Sequence, residues 1–514
     1  MRSRLLDAAL VVGGAALYAA AFPPYGHDVT AWIALVPLLA VLARSSARAA
    51  FLAGAAYGTI FFVALVPWVV KAAAAYFDAR WLTSAAFAAA VCVLFVAGYV
   101  GLLALAGRRL LRHGPWHAFF GIPALWVAYE LARSTLLTGL PWELLGHSQW
   151  QRLALIQVAD LGGVYALSFV IAALNVGLYL AGRGALRREG WRASIRAGAP
   201  LAVACGLVAA CAAYGTWRLG DQAGPLAPEG RTLALAQGDV PESWRWNRQN
   251  AERNLLTYVS LSRGALAHDA PDLIVWPEYA LTLYPERDAT VMPALRDLAQ
   301  RTTGGVVFGA PRVRDDAGTS RYFNSAYHVA PSGEVRFYDK IHLVPFAEYD
   351  PLPFDESLAA EGDGAFSAGG ASTVIDTPIG RLGMLICYEV IFPELSRQLT
   401  RAGAEILLNL SNDGWVDRAG LGAGRQHLSI AVFRAVENRR FLARAAASGI
   451  SGFIDPWGRP FGELAAGRSG LAIGRVSPRR DLSFYTRVGD VFAFACVALG
   501  LLLVAAARTS RRSA

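Results

Sequence analysis

Apolar residues are unevenly distributed along this chain: long unbroken runs occupy both ends, and short alternating runs fill the middle. Runs long enough to cross a bilayer occur at about 5–22, 50–70, 82–107, 118–135, 163–182, 197–216 and 489–507, with a shorter one at 29–43. A helix needs ~20 residues to span the hydrocarbon core, so seven of these predict transmembrane helices. The run at 29–43 falls short of that length. It still reads as a span, because Val29-Thr30-Ala31-Trp32-Ile33 can extend into the interface with Trp32 as an anchor. Arg2 and Arg4 precede the first run as they would in a signal peptide. That run lacks a small-residue cleavage site and ends in Phe22-Pro23-Pro24-Tyr25, which predicts a retained helix.

Between these ends the pattern shortens and alternates. Thr232–Gln237, Asp272–Glu278, Gly305–Gly309 and Ala404–Leu410 read as strands. Segments containing Asn254, Leu255, Tyr258 and Leu261, then Met292–Arg301, then Gln426–Arg440, read as helices. Two hairpins are signalled by Pro331-Ser332-Gly333, joining Tyr322–Val329 to Val335–Lys340, and by Pro378-Ile379-Gly380, joining Ser372–Asp376 to Arg381–Cys387. A third is signalled by Asp455-Pro456-Trp457-Gly458. Interleaved strands, helices and hairpins predict an α/β layered sandwich with mixed sheets. The expected organisation is therefore 1–216, seven transmembrane helices; 217–488, one soluble domain; and 489–514, an eighth helix and a tail.

Charge then orients the chain. Only 17% of residues are charged and 55% are hydrophobic, against roughly a quarter charged in soluble domains. With the N-terminus inside, the inner segments carry Arg2, Arg4, Arg44, Arg48, Arg108, Arg109 and Arg112. They also carry Arg183, Arg187, Arg188, Arg192, Arg196, Arg508, Arg511 and Arg512. The short outer loops carry only Lys71, Arg80 and Arg152, so the positive-inside rule places 217–488 outside the cytoplasm. The net charge of +9 is then a topology signal and gives no evidence for nucleic-acid binding. Glu130 and Arg133, near the end of the fifth run, read as an ion pair or a head-group contact.

Five cysteines are present, and four (Cys92, Cys205, Cys211 and Cys496) sit in the long apolar runs as small hydrophobes. Cys387 stands apart in the polar domain, without an intrachain disulfide partner there, in a compartment that is oxidising in bacteria. Two more polar residues close apolar strands: Glu278 after Ile274-Val275-Trp276-Pro277, and Lys340 after Val335-Arg336-Phe337-Tyr338-Asp339. Strand ends of a layered α/β domain gather on one sheet edge, where sites form. A thiol needs a base or a nearby cation to become nucleophilic; a glutamate can take its proton and a lysine can hold an oxyanion. Each residue alone has a plainer reading: a solvated strand end, a surface charge, an inert buried thiol. The four histidines of this domain, His268, His328, His342 and His427, are less clearly placed to pair with the thiol.

The surrounding words favour chemistry. Trp276-Pro277-Glu278, the stretch Tyr338–Tyr349 and Cys387-Tyr388-Glu389 occur in that order and resemble the nitrilase superfamily, whose catalytic set is Glu-Lys-Cys on an αββα sandwich. With membrane runs on both sides, the chain is similar over nearly its full length to the bacterial apolipoprotein N-acyltransferases. Gly139-Leu140-Pro141-Trp142, Ala159–Tyr165, Gln237–Pro241 with Trp246, and Asn409–Trp415 carry further likeness. Tyr279, Ile341 and Ala347 depart from the family pattern and leave the three residues intact. The resemblance implies a multi-pass membrane domain of about eight helices joined to a nitrilase-like domain. It implies catalytic Glu278, Lys340 and Cys387, with Glu348, Tyr388, Glu389 and Trp246 supporting. The implied reaction moves an acyl chain from a phospholipid, through a thioester on Cys387, to the α-amine of a lipoprotein's diacylglyceryl-cysteine. It needs no cofactor and no metal. The implied location is the bacterial inner membrane, with the catalytic domain on the periplasmic side. A membrane-tethered amidase would use the same three residues and pass the acyl group to water. A non-catalytic lipid-binding scaffold would have lost part of the set, and a transporter would show inverted repeats.

Overall fold

A computed structural model describes residues 2–70, 81–186, 191–220, 230–240, 248–316, 319–345, 347–349, 366–414 and 422–509. The chain forms two compact units, one of residues 1–222 with 488–514 and the other of residues 223–487.

Among the described residues of the first unit, four helices (Ala47–Leu65, Ser84–His113, Ala159–Ala185 and Ala197–Gly220) are long and apolar enough to cross a membrane. Helices Arg2–Ala20, Pro115–Thr135 and Val491–Thr509 cover three more of the apolar runs. The run at 29–43 is not one helix. It breaks into a 3₁₀ turn, Asp28–Trp32, and a nine-residue α-helix, Val36–Arg44. At 1.5 Å per residue that helix is only about 13 Å long, less than half the hydrocarbon thickness. Pro37 lies in the first turn of the second piece, and the polar backbone left open at the break is met by one side chain. Asn175 accepts from the Leu35 N–H at 2.9 Å and donates to the Ala31 carbonyl at 3.0 Å. A break inside an apolar layer needs such a partner. Glu130 and Arg133 also differ from expectation, turning to the loop that follows their helix. Glu130 Oε1 accepts from Leu145 N–H at 2.7 Å, and Arg133 donates to the Trp142 carbonyl at 3.0 Å.

Among the described residues, the second unit contains twelve strands in two six-stranded sheets. The first sheet has the order β12-β1-β2-β3-β4-β5, formed by Gly470–Val476, Arg231–Gln237, Leu273–Val275, Gly305–Asp316, Thr319–Val329 and Val335–Asp339. The second runs β11-β10-β9-β8-β7-β6, formed by Pro460–Leu464, Ser451–Ile454, Phe441–Ala446, Ile406–Ser411, Gly380–Ile386 and Val374–Thr377. β1, β2 and β3 are parallel, as are β7, β8 and β9, and the flanking pairs are antiparallel. The sheets are mixed, as the alternation of elements predicts.

Strand alternation splits the buried side chains into layers. Leu233, Leu235, Val275, Val307 and Ala326 of the first sheet share one apolar core with Leu382, Met384, Ile386, Leu408 and Ala443 of the second. The alternate residues Ala234, Ala236, Ile274, Phe308 and Tyr327 face outward into a second core with helices Arg248–His268 and Val291–Gln300. Helices Pro393–Arg401 and Ala423–Asn438 accompany the second sheet, giving a layered αββα sandwich. β9 and β12 lie outside the strands expected from the sequence, and β3 continues well past Gly309 through Pro311.

Candidate functional site

Alternation also directs the candidate residues. Ala326 on β4 faces the space between the sheets, so Asn324, two residues earlier, faces it too; Tyr338 on β5 does the same for Lys340. The Lys340 N–H donates to the Asn324 carbonyl at 2.8 Å, continuing the pairing beyond β5. Asp339, just before it, is held by Arg312 at 2.5 Å and by the Ser325 hydroxyl at 2.6 Å. The Arg312 guanidinium lies over the rings of Phe323 and Phe337, at 4.6 and 4.1 Å from their centroids. Glu278 follows β2 where β3 comes very close: a Cβ on Gly309 would sit 2.6 Å from the Glu278 Cα, so only glycine fits there.

Four buried side chains meet at this point. Lys340 Nζ donates to Glu278 Oε1 at 3.1 Å and to Glu348 Oε1 at 2.9 Å. Asn324 Nδ2 donates to the same two oxygens at 2.8 and 2.7 Å. Glu348 is fixed further by the Val344 N–H, 2.7 Å from its other oxygen. Burial pushes the Lys340 ammonium toward its neutral form. The Glu278 and Glu348 carboxylates outweigh this and hold its pKa above the usual lysine range, so Lys340 is a cation.

Cys387 opens a 3₁₀ turn, Cys387–Ile391, at the end of β7, with φ of +50°. A non-glycine residue in that region carries about 1–3 kcal/mol of backbone strain, of a kind that gathers at functional sites. Its thiol is buried, and burial and then the Glu278 carboxylate push its pKa up. Lys340 and the Asn412 N–H pull it down, without prevailing. The resting group is therefore a thiol with a carboxylate and an ammonium in its electrostatic reach.

Glu389 joins the two halves. Its Oε1 accepts from the Tyr338 hydroxyl at 2.7 Å, the Ile341 N–H at 2.7 Å and the His342 N–H at 3.2 Å. Its Oε2 accepts from the Ile386 N–H at 2.7 Å. One fully buried carboxylate thus ties the segment after Lys340 to the residue before Cys387. Burial pushes its carboxyl up to about 7, while these donors pull the other way. The Ile341 backbone N–H makes this contact, and its side chain packs against the core between the sheets. Tyr388 is half-buried and meets Phe392 edge-on, with ring centroids 5.1 Å apart. Trp246 lies outside the described residues. Among the described residues no group of three His, Cys, Asp or Glu side chains could hold a metal ion.

Two groups at the site are not marked by the pattern of the sequence. Asn324 bridges the carboxylates, and an asparagine within Arg321–Val329 gives no sign of that. The second is a polar cluster behind Cys387: Asp413 is gripped by Arg444 at 2.5 Å and by the Ser411 hydroxyl at 2.8 Å, with His427 Nδ1 3.2 Å away. Burial raises the Asp413 pKa, but Arg444 outweighs it and holds the carboxyl well below its usual range.

Residues 232–480 match the family model for carbon–nitrogen hydrolases. Residues 14–177 match that for the apolipoprotein N-acyltransferase N-terminal domain. The chain is 38% identical to the apolipoprotein N-acyltransferase of Geobacter metallireducens over 515 residues, covering 99% of this chain and 96% of that one. It is 32% identical to the apolipoprotein N-acyltransferase of Azotobacter vinelandii over 521 residues, covering 98% and 95%. A solved amidase from Nesterenkonia sp. aligns with 22% identity and a TM-score of 0.39, covering 53% of this chain and 99% of the amidase.

Proposed function

The chain belongs to the apolipoprotein N-acyltransferase family, and from that premise we propose how its carbon–nitrogen-hydrolase unit carries out the transfer. The protein is an acyltransferase, membrane-associated through its apolar helices, and its acceptor is a lipoprotein. The acyl donor in our reading is a phospholipid, and Glu278, Lys340 and Cys387 carry the chemistry.

The observation that carries this reading is the pairing of a strained, protonated thiol with a buried carboxylate and a lysine locked as a cation. A lysine held charged by two carboxylates cannot serve as the base, so that task falls to Glu278. Glu278 takes the thiol proton as Cys387 Sγ bonds to the carbonyl carbon of the phospholipid ester. The carbonyl π pair moves to oxygen, where Lys340 and the Tyr388 N–H stabilise the charge. Re-formation of the carbonyl breaks the C–O bond, and the departing lysophospholipid takes the proton from Glu278. The free α-amine of the diacylglyceryl-cysteine then attacks the thioester. The C–N bond forms, the C–S bond breaks, and Glu278 passes the amine proton back to sulfur. An amide is more stable than a thioester, so this direction needs no nucleotide. Glu348 and Asn324 keep Lys340 and Glu278 in register; Glu389 holds the thiol turn. For the first unit, we propose about eight crossings, counting 28–44 as one interrupted crossing, in a bacterial inner membrane. The basic inner loops support a cytoplasmic N-terminus and a periplasmic catalytic unit.

Transfer to an amine is tested with a lipopeptide acceptor and a phospholipid whose acyl chain is labelled. The label should appear as an amide on the acceptor, and Glu278→Gln should abolish it. Label recovered only as free fatty acid would instead favour an amidase.

A further inference from the structure

The face of β8 and β9 away from the inter-sheet core should be apolar, because helices cover it, and Leu407 and Leu442 obey this. One register step on, Asn409 and Arg444 lie side by side on that face, both fully buried. The Arg444 Nη1 donates to Asn409 Oδ1, and Arg444 Nη2 holds Asp413 at 2.5 Å and the Ser411 hydroxyl at 3.1 Å. Asn409 Nδ2 in turn donates to two carbonyls on the neighbouring strand end, Leu385 and Cys387, each at 3.3 Å. The arrangement is a chain of donors from a buried ion pair to the carbonyl oxygen of the nucleophile's own peptide bond.

We propose that Asn409 and Arg444 are positioning residues, which orient and polarise the Cys387–Tyr388 peptide so that its N–H meets the oxyanion of acyl transfer. The inference rests on the reading of Cys387 as the nucleophile. A peptide unit is planar, so gripping the Cys387 oxygen fixes the direction of the Tyr388 N–H on the opposite side. Cys387 sits at a positive φ, where this plane would otherwise be free to relax toward a commoner conformation. A hydrogen bond to the carbonyl also makes the same unit's N–H a better donor, roughly 10–30% per link in such chains. The charge of Arg444, which is paired with Asp413, strengthens the first link. Stability alone gives little reason for this construction, since apolar residues of similar volume often serve as well as a buried ion pair.

The test separates two reactions of one sulfur in the full-length, detergent-solubilised protein. Acylation by phospholipid passes through an oxyanion; alkylation by iodoacetamide does not. In Asn409→Leu the single-turnover rate of Cys387 acylation should fall roughly 10–100-fold, less than the loss typical of removing an oxyanion donor outright. KM for phospholipid and the alkylation rate should stay within about twofold. Arg444→Lys, which keeps a charge for Asp413 but shortens the reach to Asn409, should show a smaller loss of the same kind. Equal losses in acylation and alkylation would mean the cluster merely holds the fold, and unchanged acylation would mean it does nothing for the reaction; either overturns the proposal. Asn409→Ser provides the same comparison should the leucine variant fail to fold. If the unaltered protein takes no acyl group on Cys387, the nucleophile reading has failed, a result distinct from any of these.

Discussion

Replacing Glu389 by glutamine changes one atom in the link between the lysine segment and the thiol turn. The carboxylate accepts from four donors, three at Oε1 and one at Oε2. An amide has one oxygen, which will take the crowded side and leave its NH₂ facing the Ile386 N–H. One charge-assisted hydrogen bond is lost and two donors oppose each other in a buried space, at a cost of about 2–4 kcal/mol. For a unit of this size that corresponds to a fall in melting temperature of about 5–10 °C. Ile386 directly precedes Cys387, so displacement of its N–H also moves the sulfur; a shift of ~1 Å can slow a reaction ~100-fold. Thermal unfolding in detergent and single-turnover acylation, measured on the same preparation at pH 8, check both consequences. A Glu389→Gln protein that melts within 1 °C of the unaltered chain (about the smallest shift such scans resolve) and acylates at the same rate would refute the argument.

Three further outcomes follow from the same geometry. Burial pushes the Glu389 carboxyl up to about 7, so the fully charged link forms only above that value, and acylation should rise with pH through about 7. A folded pKa above the unfolded one means this group's contribution to stability is complete below about pH 4 and declines as pH rises through about 7. The Glu389 contributions to rate and stability should therefore move in opposite directions across that window, and both contributions, read as the difference between the unaltered protein and Glu389→Gln, should be absent from the variant. Lys340→Met leaves Glu278 and Glu348 sharing only Asn324, which should abolish acylation and destabilise by about 3–5 kcal/mol. Adding Glu348→Gln should recover part of the stability and none of the activity, as denaturant titration and acylation assays would show. A Cβ at Gly449 would run into the Asp413 carboxylate, so Gly449→Ala should lower stability by about 1–3 kcal/mol in thermal melts.

Much of the architecture was legible because its signals are local. Apolar runs mark the helices, and the Pro-Ser-Gly and Pro-Ile-Gly turns mark hairpins that form as β4–β5 and β6–β7. β9 escaped because Phe441-Leu442-Ala443-Arg444-Ala445-Ala446 is alanine-rich and carries an arginine. Nothing local predicts burial of that charge, which depends on Asp413, on another strand end. The break in 28–44 escaped for a similar reason: its open backbone is satisfied by Asn175, remote in sequence. At the site, Glu278, Lys340 and Cys387 could be picked out as polar residues closing apolar strands. Asn324 and Glu389 could not be placed so well, since their roles lie in contacts between strands and turns. A carboxylate at a helix start commonly serves the helix dipole; here Glu389 reaches back to Ile341 and His342.

Acylation of Cys387 beside Glu278 and Lys340 can be read by intact-protein mass spectrometry after incubation with phospholipid. The protein should gain the mass of one acyl chain, mapped to Cys387, released by hydroxylamine, discharged by a lipopeptide amine and missing in Cys387→Ser. A folded protein that transfers acyl groups while Cys387 remains unmodified, or while Cys387→Ser still acquires the label, would contradict it.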